Sequence, residues 1–327
     1  QCSLTDSSQI QPFGLDTGFR RAAQNAGILA EAYESACLFI NVNTWEPRTP
    51  QCAATAPLWN EGRNHVMFDL HDESRDTRPS YRGSYAIEAA PSQHTCYYRS
   101  GYDISVGHCP KVLFLELQAI PPESRNYFLT FRASERHLCI HGTLHLKFHG
   151  SEERSSIVNL HNDTEGVVVA EKCVEGDSRW RRAAAETCDE IRKRYNAYEY
   201  HLLMNSTFGL VPAGASPGTH RLGEASGNSP TSSLVMSAGC IPVIVARDYI
   251  KPFTEEVDWS EFSFTFSPDE VPDIIRTLRS VQPEELKQMQ QKSLEAYWKI
   301  YGGKNDWSMM IRHITGILVR RVGHHES

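Results

Sequence analysis

The sequence predicts an α/β protein of two Rossmann-like domains facing across a cleft. Two observations carry this. Short apolar runs of strand type alternate with helical stretches along most of the chain. The alternation also stops once, at a two-proline segment, and then restarts. Strands separated by helices pair in parallel through right-handed crossovers, so two such blocks make two sheets. A chain of 327 residues is long enough to bury a core in each.

In the first block, ACLFINV (36–42) and HVMFDL (65–70) have the continuous apolar character of buried parallel strands, and YDISV (102–106) and VLFLEL (112–117) follow. IPPES (120–124) reads as a hinge, because two prolines continue neither helix nor strand. The expected domains are therefore 1–125 and 126–327. The second block places strands at YFLTFRA (127–133), GVVVAEKC (166–173), TFGLVP (207–212) and CIPVIV (240–245). Two helices close the chain, at 268–281 and 283–301. Each has Pro near its start and acidic residues in its first turn, where the helix dipole favours them. Tyr297, Trp298 and Tyr301 read as core packing of the second helix rather than a sugar platform.

Composition narrows the function classes. Net charge is −7, from 33 basic and 40 acidic residues, which argues against a nucleic-acid partner. No run approaches the ~20 apolar residues of a membrane span. The chain begins without a basic region followed by an apolar one, so any targeting segment or membrane anchor is expected upstream. Nine cysteines and the two N-glycosylation sequons at Asn162 and Asn205 point to a secretory compartment. None of the cysteines forms a CxxC pair, and Cys240, inside an apolar run, reads as a buried free thiol. Cys139, His141, His145 and His149 alternate with apolar residues in the manner of a strand or hairpin, so no metal site is expected there.

The chemistry concentrates in PAGASPGTHRLGEA (212–225), at the carboxyl end of a strand, where open α/β sheets bind ligands. Glycines such as Gly218 let the backbone approach a phosphate, and the helix start beyond them supplies free N–H groups. His220 lies in the same turn. Arg221 suits a diphosphate, and Glu224, one helical turn on, suits the hydroxyls of a ribose. By spacing alone the two residues form an exposed i, i+3 pair equally well.

Several segments in consistent order decide between these readings. NSTFGLVPAG, PGTHRLGEA, AGCIPVIV and PFTEEVDWSEFSF resemble the donor-binding half of the exostosin family of glycosyltransferases. LWNEGRNHVMFDL, YDISV, ESRNYFLTFRA and ERSSIVNLHN are similar to further segments of that family, and the match runs from about residue 36 to 298. The similarity is greatest to the N-terminal, inverting domain of the animal heparan-sulfate-polymerising members. It implies a GT-B arrangement, with an acceptor-side domain over 1–125 and a nucleotide-sugar-binding domain over 126–327. It also implies inverting transfer from a UDP-sugar to a glycan or polysaccharide acceptor, with no metal or other cofactor, in the lumen of the Golgi or endoplasmic reticulum. Glucuronic acid is the first expected sugar, and a homo- or heterodimer with another exostosin is the expected assembly.

Residue by residue, the resemblance places Arg136, Arg154, Arg221 and Glu224 at the donor. Three guanidinium groups there would stabilise the departing UDP. Asp103 is the base candidate that matches a family position, but at a strand end it reads first as a loop cap, and Asp69 and Asp72 are the weaker alternatives. Cys173 and Cys188 bound a charged loop and match a bridged pair in the family, so a disulfide is expected between them. One departure is large. Residues 226–235 add ten positions inside the donor helix, where Gly227 and Pro230 stop it before Met236 resumes it. They are expected to loop out; the alternative is that they push the first turn out of register. A catalytically silent family member that supports a partner enzyme is the rival expectation.

Overall fold

The computed structural model describes residues 15–30, 36, 38–43, 59–69, 84–91, 93–96, 98–107, 120–134, 156–172, 203–213, 235–301 and 308–323. The chain is α/β with parallel sheets in two units. The first comprises residues 1–108, 250–257 and 306–327, the second 109–249 and 258–305. The sequence had suggested one boundary at 125/126. The difference has two parts: residues 109–125 fall in the second unit, and two later segments return to the first, a long-range event that leaves no local mark.

The first unit holds helix α1 (Leu15–Asn25) and strands β1 (Phe39–Asn43), β2 (His65–Asp69), β3 (Ile87–Ala90) and β4 (Ile104–Ser105). The strands form one parallel sheet in sequence order. Its core includes Val66, Met67, Phe68, Ala89 and Ile104. The segment WNEGRNH builds the entry to β2. Asn60, Glu61 and Gly62 have positive φ in succession, and Gly62 lies so close to Ala86 that a Cβ would meet the Ala86 nitrogen at 2.7 Å. His65 is buried between the rings of Phe39 (4.9 Å) and Trp59 (4.7 Å), and burial holds its imidazole below its ordinary pKa. This motif of the family resemblance is thus a packing device.

The returning segment 250–257 is bound by backbone. Phe253 donates its N–H to the Ser105 carbonyl (2.8 Å), and the Ser105 hydroxyl donates to the Ile250 carbonyl (2.7 Å). Phe253 holds a left-handed φ of 50° while its ring is buried, a strained arrangement for an aromatic residue. That ring packs on His313 of the last helix, α4 (Ser308–Gly323), with ring centroids 4.7 Å apart.

The second unit contains β5 (Tyr127–Ser134), β6 (Val167–Lys172), β7 (Ser206–Pro212), β8 (Ile241–Val245) and β9 (Phe264–Phe266), with α2 (Ile274–Arg279) and α3 (Pro283–Tyr301). The order across this parallel sheet is β9-β8-β7-β5-β6. Every residue of β7 and β8 is buried, which explains their unbroken apolar character. Strand β9 is short and half-buried, and its period was not read from the sequence. Met289, Gln290, Ser293, Ala296, Tyr297, Ile300 and Tyr301 form the buried stripe of α3. Trp298 falls outside that stripe and stays 42% exposed, unlike the core role expected of it.

A buried arginine knits the amino ends of three strands. Arg125, just before β5, donates through Nε to the Ile120 carbonyl (2.7 Å). Its two terminal nitrogens donate to the carbonyls of Ser206 (2.5 Å) and Ala238 (3.1 Å). The Cys240 thiol donates to the Leu203 carbonyl (3.0 Å), and burial pushes its pKa up to about 12 against the opposing pull of Arg125. From α3, Gln290 donates to the carbonyls of Ile120 (2.9 Å) and Gly239 (3.0 Å), and Ser293 to that of Cys240 (3.0 Å).

Helix α4 (Ser308–Gly323) then returns the chain to the first unit, burying Met310, Ile311, His313, Ile314 and Ile317 on one face. It lies against α1. The half-buried Glu256 carboxylate takes His313 and Arg320 of α4 as partners. Burial pushes its pKa up, but hydrogen bonds from Arg320 and His313 outweigh that and hold it below the usual carboxylate range. Arg321 pairs with Glu255 and donates to the Asp103 carbonyl (2.9 Å).

Two outcomes test this account. Arg125→Ala strands several buried carbonyls and should cost roughly 3 kcal/mol or more, with Arg125→Lys recovering part of it; urea denaturation measures both. Cys240 should resist alkylation at pH 8 in the folded chain and react once denaturant is added, while the exposed Cys96 labels in both states.

Candidate functional site

The strand order of the second sheet marks where a ligand belongs. From β5 the chain crosses to β6 on one side, then passes back over β5 to β7 and continues outward through β8 and β9. The order reverses between β5 and β7, which pair in parallel through Tyr127↔Ser206, Leu129↔Phe208 and Thr130↔Gly209. In such a doubly wound sheet the crevice opens at the carboxyl ends of the two strands flanking the reversal.

The described part of that edge is backbone held in register. Ala213 donates to the Val245 carbonyl (2.9 Å), and Ala246 to the Phe266 carbonyl (3.1 Å). After β9, Ser267 and Glu270 form a reciprocal capping box on a short 3-10 turn. The hydrogen bonds from the Ser267 backbone and hydroxyl hold the Glu270 carboxyl below the usual range. Arg247, just past β8, forms an exposed pair with Asp269 (3.1 Å).

Ser134 and Pro212 are the last residues of β5 and β7, and the chain runs from them into the segments that carry the expected donor residues. Arg136, Arg154, Gly218, His220, Arg221 and Glu224 lie outside the described residues, as do Cys173, Cys188, Asp72 and the Cys139 to His149 segment. So do residues 226–234. Val235, expected as the last residue of the inserted stretch, is instead core. It is fully buried, and a Cβ on Gly209 would meet its methyl at 2.5 Å. It also opens the turn 235–239, which ends as a helix C-terminus does. Gly239 sits at a φ of 68° and donates to the Met236 carbonyl (2.9 Å), while Cys240 donates to that of Val235 (3.1 Å). The expected helix from Met236 is therefore a single closing turn among the described residues.

In the first unit, Asp103 precedes β4 and so stands at the amino end of its sheet, opposite the edge where ligands bind. It is buried, and its carboxylate accepts from the backbone N–H groups of Glu88 (2.9 Å) and Arg99 (2.9 Å). Arg99 adds a two-pronged guanidinium contact at 3.0 and 2.6 Å. A carboxylate with both oxygens so engaged is a loop clasp and has no lone pair aimed at an acceptor hydroxyl. Asp69 ends β2, at the carboxyl edge. Of the two sequons, Asn162 is exposed. Asn205 is half-buried, and its partner Thr207 is buried within β7.

Asp103→Asn should lower stability by about 1–3 kcal/mol through the lost clasp, while the folded fraction keeps any nucleotide affinity unchanged; denaturation and calorimetry on one sample separate the two effects.

Comparison with known proteins adds what geometry alone does not. The family model of the Exostosin GT47 domain matches residues 46–281. Exostosin-1 of Drosophila melanogaster is 30% identical over 289 residues, which cover 81% of this chain and 35% of that protein. Exostosin-1a of Danio rerio is 29% identical over 259 residues, covering 75% and 32% respectively. This chain thus spans about a third of the length of the curated relatives it matches. The solved structure of TarM aligns over 79% of this chain and 55% of its own at 7% identity, and its TM-score of 0.31 is too low to bear on either fold or chemistry.

Proposed function

Because this chain belongs to the exostosin GT47 family of glycosyltransferases, we propose that it transfers a sugar, with inversion, from a UDP-sugar to a glycan or polysaccharide acceptor. The observation that carries this reading is the strand reversal between β5 and β7. The two strands flanking it lead directly into the segments bearing Arg136 and, beyond Pro212, Arg221 and Glu224. A nucleotide seated there would have its diphosphate held by Arg136, Arg154 and Arg221 and its ribose by Glu224, beside the Gly218 and His220 turn.

In this reading the acceptor oxygen attacks the anomeric carbon from the face opposite UDP. The bond from that carbon to the diphosphate oxygen breaks, and the arginines take up the charge that develops on the departing UDP. The acceptor proton passes to a base. The clasp around Asp103 points to a carboxylate elsewhere, and Asp69, at the carboxyl edge of the first sheet, is the better placed of the remaining candidates. Glucuronic acid is the first sugar to test. The work takes place in the lumen of the Golgi or endoplasmic reticulum, without a metal, alone or paired with another exostosin.

A second reading, a silent member that supports a partner enzyme, is favoured by one feature: the residues inserted between Glu224 and Met236. Calorimetry separates the two. UDP should bind in the micromolar range, and Arg221→Ala should lose that binding with the thermal midpoint unchanged. Deleting 226–234, which spares the buried Val235, should leave the affinity as it was. A parent chain that does not bind UDP overturns the transferase reading in favour of the silent one.

A further inference from the structure

The second unit carries a shallow, largely open groove lined by Thr164, Glu165, Pro272, Ile275, Arg276 and Arg279. It lies at the amino end of β6 and has an open volume of about 730 Å³. Pro272 and Ile275 of the β9-to-α2 region provide apolar surface, and Glu165, Arg276 and Arg279 provide charge around it. Arg279 is fixed in place: it pairs with Glu165 at 2.8 Å and lies over the Phe128 ring at 4.7 Å. Thr164 also lines the groove, and it is the third residue of the Asn162 sequon.

The sequon is held in a defined shape. Asn162 is exposed, with an extended backbone at φ −155° and ψ 94°, and exchanges backbone hydrogen bonds with Val167 at 2.9 and 3.0 Å. Its side-chain oxygen accepts from the Thr164 hydroxyl at 2.8 Å. Three features therefore coincide: an exposed acceptor amide, the threonine of its sequon, and a groove that this threonine lines. Apolar surface flanked by charged donors and acceptors is what the faces and edges of an N-acetylhexosamine require, because a pyranose ring presents C–H groups on its face and hydroxyls at its rim.

We propose that Asn162 carries an N-linked glycan and that the first sugars of this glycan lie in the groove formed by Thr164, Pro272, Ile275 and Arg276. In the attachment step the Asn162 amide nitrogen forms a bond to the anomeric carbon of a lipid-linked diphosphate oligosaccharide. The carbon–oxygen bond to the lipid diphosphate breaks, and the amide proton passes to the departing diphosphate. The proposal is independent of glycosyl transfer by this chain and stands or falls separately from it.

The chain is expressed through the secretory pathway of a eukaryotic cell, and its peptides are mapped by mass spectrometry after glycosidase treatment in heavy-oxygen water. Asn162 should carry the label, and Thr164→Ser should retain it while Thr164→Ala loses it. In the native chain the Asn162 glycan should be trimmed several-fold more slowly than in the denatured chain. Arg276→Ala, an exposed position, and Ile275→Ala should each remove that protection with occupancy unchanged. An unmodified Asn162 overturns the proposal. So does a modified Asn162 whose glycan is trimmed at one rate in native and denatured protein, or whose protection both groove variants leave intact.

Discussion

The second unit depends on one buried guanidinium. Arg125 is almost wholly withdrawn from water, and it donates to carbonyl oxygens of three chain segments and to one thiol. A buried cation is tolerated only when its donors are satisfied, and a planar fork meets several carbonyls at once where an ammonium would not. The carbonyls belong to the chain entering β5, β7 and β8. One side chain therefore sets the relative height of three neighbouring strands, and Gln290 and Ser293 of α3 fasten the same end from outside. The two ends of the sheet are thus built differently. The amino end is locked by polar side chains, whereas at the described carboxyl edge Ala213 and Ala246 carry the backbone pairing on past the strands.

Much of this fold was legible in the sequence because burial on both faces writes a continuous apolar run. The strands β2, β5, β6, β7 and β8 carry such runs and were read in place. The missed strands lack that signal. In β3, Ile87-Glu88-Ala89-Ala90 is short, small and interrupted by a charge, and β9 is a half-buried three-residue strand. Helix α3 was read from its proline and acidic start, yet Trp298 was misplaced. Aromatic character suggested core, while the helical period put the ring on the outer face.

Roles were harder to read than elements. Arg125 and Arg136 look alike in the sequence, each beside an end of the same strand. Which one faces a ligand depends on which end of the strand it occupies and on what closes over it. Asp103 illustrates the same point. The residue falls in a motif with the look of a site, but its position before β4 rather than after it, together with Arg99, makes it a clasp. Val235 shows how an insertion drawn by pattern overruns into the core. Its burial follows from Gly209, whose missing side chain leaves the space it fills.

The first unit is assembled from three separated stretches of chain, and this has a consequence for its biogenesis. Arg321 meets the carbonyl of Asp103 across 218 residues of intervening sequence. At ~5–20 residues per second, a ribosome needs on the order of ten to forty seconds to cover that span. Through that interval β1 to β4 exist without α4, and by its end β5 to β9 and α3 have already been made. The part of the molecule made first is thus the part finished last, and chaperones have a defined period in which to hold it.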